Sequence, residues 1–306
     1  MLEYDLVIIG AGPGGLTAGL YGARAELKTV CLEKLSPGGQ IANTDRIDDY
    51  PGFTSISGPE LASKMLDHAQ SYGLELKMEE VKEVKLDGKY KIIKTDREGY
   101  KSKTLIVGTG GRPRLLNVPG EKELYGKGVS YCAICDGAFF KGEIIAVVGG
   151  GDAAVEEGIY LTKFGKKVYI IHRRDQLRAA KSIQEHAFRN EKIEFIWDSI
   201  VTKVNGTNQV ESLSLLNKKT GEESTLDVGA VFPFIGFIPN SGMVKDLVET
   251  DESGYIITDY KMETKVRGIY AIGDVRKQLC KQITNAVGDG TTAAVAADRY
   301  IDEEFD

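Results

Sequence analysis

Cys132-Ala133-Ile134-Cys135-Asp136 is the stretch of this sequence best equipped for chemistry. Two thiols separated by two residues can close a small disulfide ring and open it again, and a carboxylic acid directly after the second can take or give a proton. The competing reading of such a pair is half of a zinc site. Zinc needs four ligands, usually from a second C-x-x-C or from paired histidines. The other cysteines, Cys31 and Cys280, stand alone, and His68, His172 and His186 lie at no ligand spacing to the pair. Redox chemistry is therefore the better fit and no metal is expected. A dithiol that works repeatedly needs a source of electrons, and the rest of the chain reads as the elements that supply one.

Leu6-Val7-Ile8-Ile9 has the pattern of a buried strand. Gly10-Ala11-Gly12-Pro13-Gly14-Gly15 follows at once, then a helical pattern from Leu16 to Arg24, then a second strand, Thr29 to Leu32, ending at Glu33. Glycines at 10, 12 and 15 permit a tight turn and let the backbone approach a pyrophosphate, which then faces the free N–H groups of the helix start. Glu33 stands where an acid accepts hydrogen bonds from ribose hydroxyls. Strand, loop, helix, strand and acid together make this a dinucleotide site, whereas the glycine pattern alone would not.

The same unit occurs again 139 positions later, the distance from Gly10 to Gly149. A strand from Ile144 to Val148 leads into Gly149-Gly150-Gly151-Asp152-Ala153-Ala154, followed by a helical pattern and the strand Val168 to Ile171. Gly12 falls on Gly151, Gly15 on the small residue Ala154, and Glu33 on His172. His172-Arg173-Arg174, with Arg178 a turn further on, replaces an acid with cations. Guanidinium groups fork onto phosphate oxygens, so this unit reads as a site for a 2′-phosphorylated coenzyme, NADPH. The first unit reads as a site for a cofactor with a free 2′-hydroxyl, FAD. A solvated basic helix start is the alternative, and the glycine loop before it argues against that.

At 306 residues the chain has room for two ordinary domains. A net charge of −6 speaks against nucleic acid or an anionic membrane as partner. Four cysteines are too few for a disulfide framework, which fits a reducing, cytoplasmic setting. No apolar run approaches a membrane span, and the acidic N-terminus runs straight into a strand with no signal-peptide pattern. Turns are expected at Pro37-Gly38-Gly39-Gln40 and Tyr50-Pro51-Gly52-Phe53. Further expectations are a helix over Glu60 to Tyr72, a hairpin around Asp87-Gly88-Lys89, a buried strand ending in Thr109-Gly110-Gly111, and short strands between Lys192 and Asp227. Pro233 suggests an edge strand. A strand ends in Gly273-Asp274, and a helix from Ala286 to Arg299 closes the chain.

Taken in this order, these motifs resemble the low-molecular-weight thioredoxin reductases, flavoproteins with two dinucleotide domains, and the resemblance covers essentially the whole chain. It implies an α/β fold of two Rossmann-like domains, with the NADPH domain (residues 115–241) inserted into a discontinuous FAD domain (residues 1–114 and 242–306). FAD would be held by Gly10, Gly12, Pro13, Gly14, Gly15, Glu33, Gly39, Gln40, Thr109, Gly110, Gly273, Asp274, Lys281 and Gln282. NADPH would be held by Gly149, Gly151, Asp152, Ala153, Ala154, His172, Arg173, Arg174 and Arg178. NADPH would reduce FAD, FAD the Cys132–Cys135 disulfide, and the dithiol a thioredoxin, with Asp136 as general acid and base and Cys135 as the flavin-proximal sulfur. A homodimer is implied. A disulfide carried by the inserted domain must meet both the flavin and a disulfide on another protein, which one rigid arrangement cannot do, so rotation of that domain is expected about crossings near 112–118 and 236–244. Lys281-Gln282 stands where the family usually has Arg-Gln, and Cys280 before it is an unexpected thiol. The rival readings are a similar flavoenzyme fed by NADH or ferredoxin, and a non-enzymatic metal-binding module.

Overall fold

The computed structural model describes residues 1–44, 47 and 49–305. They form two compact units, one of Met1–Arg112 with Ile238–Asp306 and the other of Pro113–Phe237.

The first unit begins with strand β1 (Leu2–Ile9), helix α1 (Pro13–Arg24) and strand β2 (Thr29–Glu33). Helix α2 (Gly58–Ser71) follows, started by Ser57, whose hydroxyl accepts from Glu60 N, and by a proline in its first turn. Strands β3 (Glu75–Met78), β4 (Val81–Asp87), β5 (Tyr90–Thr95) and β6 (Gly99–Val107) come next. The short strand β7 (Gly111–Pro113) stands at the crossing into the second unit.

The sheet runs β3-β2-β1-β6-β5-β4. β3, β2, β1 and β6 are parallel, and the inner part of β1 is buried on both faces, which is why it reads as a continuous apolar run. Its Leu6 and Ile8 pack with Leu16 and Ala18 of α1, while Val7 and Ile9 join a second core on the other face. The β4–β5 hairpin adds an antiparallel edge through β6.

The second unit carries helix α3 (Ala133–Asp136), strand β8 (Ile144–Val148), helix α4 (Asp152–Leu161), strand β9 (Lys167–Ile171), helix α5 (Lys181–Phe188) and strand β10 (Ile193–Ile196). An antiparallel sheet of β11 (Ser199–Asn205), β12 (Ser212–Asn217) and β13 (Glu223–Asp227) is followed by β14 (Ala230–Pro233) and the short β15 (Phe237–Pro239) at the return crossing. The main sheet, β10-β9-β8-β14, is parallel throughout. β14 lies at its edge, as Pro233 requires, because a proline has no N–H to donate to a further strand.

The chain returns to the first unit as β16 (Ile269–Ala271), which pairs with the end of β6, and as α6 (Ile283–Phe305). α6 is longer than its alanine-rich stretch predicts, at 23 residues. It approaches α1 so closely that a Cβ on Gly290 would sit 2.3 Å from Gly14 O. No helix among the described residues is long and apolar enough to cross a membrane.

Candidate functional site

In the first unit the residues singled out from the sequence converge at the C-terminal ends of β1, β2, β6 and β16, the end at which open parallel sheets take their ligands. Gly10 has φ +101° and its added Cβ would meet Gly108 O at 2.4 Å, so the turn out of β1 tolerates no side chain there. A Cβ on Gly15 would lie 1.8 Å from Gly10 O, which sets how tightly α1 returns over the loop. At Gly12, by contrast, nothing lies within 4 Å of an added Cβ. α1 starts there with Pro13 in its first turn, no capping side chain and no acid. The result is open space in front of uncapped N–H groups, which fits a pyrophosphate.

Glu33 closes this loop from β2. Its Oε2 accepts from Ala11 N at 2.8 Å and its Oε1 from Leu35 N at 2.8 Å. Each oxygen keeps a lone pair for a sugar hydroxyl. Gly38 N donates to Ala11 O at 2.7 Å, and an added Cβ on Gly39 would approach Gly12 Cα to 3.2 Å, so the 38–40 turn stacks on the loop. Gln40 Nε2 donates to Gly111 O. Thr109 Oγ1 donates to Asn240 O at 2.8 Å, and Asn240 N donates to Gly110 O at 2.9 Å.

Gly273-Asp274 begins a short 3-10 turn after β16. Burial pushes the Asp274 carboxyl up, Lys281 pulls it back down, and Asp289 adds to the rise. Lys281 also stands over the Tyr255 ring, with its Nζ 4.6 Å from the centroid. Gln282 O accepts from Ala286 N at 3.1 Å in the first turn region of α6. In the same loop Gln278 buries its amide with neither Oε1 nor Nε2 paired inside the protein, a second sign that this end of the sheet is built to receive a polar group. Cys280 is a free, partly buried thiol, and Cys31 is free and buried in β2.

In the second unit Gly149 (φ +154°) leaves β8, and an added Cβ would meet Phe234 O at 2.4 Å and Ala154 Cβ at 2.6 Å. Ala154 therefore fits only because Gly149 has no side chain. Gly151 opens α4 as Gly12 opens α1, with nothing within 4 Å of an added Cβ. Asp152, the first helical residue, turns its Oδ1 to Ala180 N at 2.7 Å, and Ala153 follows it on the helix. Arg178 N and Ala179 N both donate to Gly150 O, at 2.7 and 3.2 Å, so the segment after β9 folds back onto the loop.

The His172 ring lies against this loop, where an added Cβ on Gly150 would meet its Nδ1 at 2.3 Å. His172 is 5% exposed and its Nε2 has no partner in the protein. Burial, and then the guanidiniums of Arg178, Arg173 and Arg174, hold its pKa below the usual histidine value. The three exposed arginines thus gather their charge around one buried ring. An unpaired buried donor or acceptor beneath three cations fits an anionic nucleotide.

The dithiol turn is in the second unit. Val129 pairs with Val231 of β14, and Ser130 N donates to Val231 O at 3.1 Å, which anchors the approach to Cys132. Cys132 caps α3, its Sγ accepting from Cys135 N at 3.2 Å, and the two cysteines form a disulfide. Their Cα atoms are 5.3 Å apart. One helical turn brings residues i and i+3 this close, which is why two intervening residues suffice. Gly137 follows because α3 rests on the end of α4, where an added Cβ would meet Leu161 Cδ2 at 2.9 Å. Asp136 N donates to Cys132 O at 3.1 Å, and the Asp136 carboxylate accepts from Ser130 Oγ at 2.6 Å.

Sequence reading missed Ser130, Glu121 and Asp289. Glu121 is buried and accepts from Leu116 N, Asn117 N and Tyr131 OH, tying the loop before the cysteines together. Asp289 of α6 accepts from Gly273 N at 2.9 Å and forms a buried pair with Arg276 at 2.7 Å, which holds the turn carrying Asp274. None stands in a motif, and the signal for each is a buried polar group among its bonds.

Two Rossmann-like units with glycine loops, together with a disulfide turn, are the parts of a nucleotide-dependent disulfide oxidoreductase. The chain belongs to the pyridine nucleotide-disulphide oxidoreductase family, whose model matches residues 4–290. That family works with a flavin and a pyridine nucleotide. A thioredoxin reductase of Bacillus subtilis (strain 168) is 50% identical over 302 residues, 98% of this chain and 95% of its own. A thioredoxin reductase of Peptoclostridium acidaminophilum is 47% identical over 99% of this chain and 98% of its own. The crystal structure of thioredoxin reductase from Streptococcus pyogenes MGAS5005 superposes with a TM-score of 0.95 at 49% identity, covering 98% of this chain and 99% of that one.

Proposed function

We propose that this protein is a thioredoxin-disulfide reductase that draws on NADPH through FAD. The observation that carries the reading is the Cys132–Cys135 disulfide, with Asp136 beside it, in the unit whose arginine cluster follows β9. When bound, the two cofactors supply a hydride and a two-electron relay to the disulfide. FAD would lie along Gly10, Gly12, Pro13, Gly14, Gly15, Glu33, Gly39, Gln40, Thr109, Gly110, Gly273, Asp274, Lys281 and Gln282. NADPH would lie along Gly149, Gly151, Asp152, Ala153 and Ala154, with its 2′-phosphate at His172, Arg173, Arg174 and Arg178.

The residues of the chain then act as follows. In the dithiol state Asp136 takes a proton from one thiol, and the thiolate attacks the disulfide of the substrate protein. The mixed disulfide is resolved by the other cysteine. One S–S bond breaks in the substrate and one forms between Cys132 and Cys135, and the two thiol protons end on the two released sulfurs. The arginines select the coenzyme by charge, since a 2′-phosphate meets three guanidiniums where a 2′-hydroxyl would leave them unmatched. A homodimer in the cytoplasm is part of the same reading.

The test is reduction of oxidised thioredoxin by the purified flavoprotein with NADPH, with NADH in parallel. Turnover with NADPH and far less with NADH is expected. Rapid bleaching of the flavin by NADPH without any thioredoxin reduction would remove the substrate assignment, and equal rates with the two coenzymes would remove the NADPH assignment.

A further inference from the structure

One hydroxyl at the dithiol turn has no role in the chemistry above. Ser130 is 3% exposed and pinned through its backbone to Val231. Its Oγ lies 2.6 Å from Asp136 Oδ2, accepts from Cys132 N at 3.1 Å, and stands 3.4 Å from Cys132 O. It therefore touches both the carboxylate that handles the proton and the backbone of the first cysteine.

We propose that Ser130 is a positioning residue for proton transfer at the dithiol, holding Asp136 beside the Cys132–Cys135 turn in both protonation states. A hydroxyl has one hydrogen to donate and two lone pairs to accept with. While Asp136 is ionised, the Ser130 O–H donates to Oδ2 and one lone pair takes the Cys132 N–H. When Asp136 has taken a thiol proton, the direction of that bond reverses. The carboxylic acid donates to Oγ, the Cys132 N–H stays, and the hydroxyl hydrogen turns to Cys132 O. All the bonds of Ser130 are kept in each state with no movement beyond rotation of one O–H. An alanine here would leave the half-buried Asp136 carboxyl without that partner in either state, and a carboxyl that loses a fixed partner is held less firmly in place.

The proposal rests on the thioredoxin-reductase reading, and its test separates the two. The flavoprotein is reduced with dithiothreitol, freed of it, and mixed with oxidised thioredoxin. The single-turnover rate is read by rapid quenching and thiol alkylation. Ser130→Ala should slow this step by roughly tenfold, a fraction of what a general acid–base contributes, while bleaching of the flavin by NADPH and the melting temperature stay near wild type. Ser130→Thr, which keeps the hydroxyl, should recover most of the rate. In an Asp136→Asn background, Ser130→Ala should cost little more, because residues that act through one another are not additive. The proposal is overturned by an unchanged rate in Ser130→Ala, by an equal fold-loss in the Asp136→Asn background, or by failure of the threonine to recover the rate. Wild-type enzyme that does not react with thioredoxin overturns the substrate reading, and this proposal with it.

Discussion

The loop at residues 10–15 and the loop at residues 149–154 leave a buried parallel strand in the same way and open a helix in the same way. In both, the middle glycine has nothing near it and the helix start lacks a capping side chain. They part company in how the helix is packed down and in what stands at the end of the second strand. The first relies on the missing side chain of Gly15, the second on the missing side chain of Gly149 beneath Ala154. The first ends in Glu33, hydrogen-bonded to the loop itself. The second ends in a buried histidine with an unpaired Nε2 under three arginines. On the proposed reading one scaffold would serve two ligands, the loop supplying the common pyrophosphate contact and the residues after the second strand, Glu33 in one unit and His172 with its arginines in the other, supplying the discrimination. Only the second unit also carries a cysteine pair.

That last asymmetry gives the largest expected effect. Cys132→Ser or Cys135→Ser should abolish thioredoxin reduction while NADPH still bleaches the flavin. A mutant with full turnover would show that the pair is not the redox centre.

The charge difference comes next. Neutralising Arg173, Arg174 and Arg178 together should weaken NADPH on the order of a hundredfold or more relative to NADH, given about 1.5–3 kcal/mol per charge-assisted hydrogen bond. Binding titrations with both coenzymes read this directly, and an unchanged ratio would break the contrast between the loops.

A smaller effect tests the packing difference. Gly15→Ala forces a Cβ to within 1.8 Å of Gly10 O and should cost about 2 kcal/mol in thermal unfolding. Ala154→Gly should cost only roughly 0.5–1 kcal/mol, the helix propensity of the position. Equal losses at the two sites would mean that the loops are packed alike after all.

The smallest effect concerns pH. The native pKa of His172 lies below its unfolded value of 6.5, so the unfolded chain binds the proton more readily. The neutral buried ring therefore contributes stability above that value, and the contribution is lost as pH falls below it towards the native pKa. Asp274 runs the other way. Its carboxyl is raised, so its favourable contribution is present in acid and lost as pH rises through its native pKa. His172→Gln should flatten the fall in melting temperature between about pH 7.5 and about pH 5.5, and a variant as acid-sensitive as wild type would remove His172 as the cause.

Much of this architecture is legible in the residues alone. Period and glycine spacing locate both strand–loop–helix units, because those constraints are local: a turn with positive φ, an open helix start, a side chain at the end of a strand. The Cys132–Cys135 pairing is local in the same sense, since one helical turn sets the distance. Short elements such as α3 and α5 left no periodic signal, having too few residues to show a face, and α6 runs beyond its alanine-rich stretch because packing on α1 supports a longer helix than propensity indicates. What only the tertiary structure decided is the set of partners. Ser130 reaches Asp136 because Val231 fixes its backbone, Asn240 meets Thr109 across 131 residues, and Asp289 holds the turn of Asp274 from a later helix. A hydrogen bond depends on where two chain segments meet in space, and residue type and spacing carry no record of that meeting.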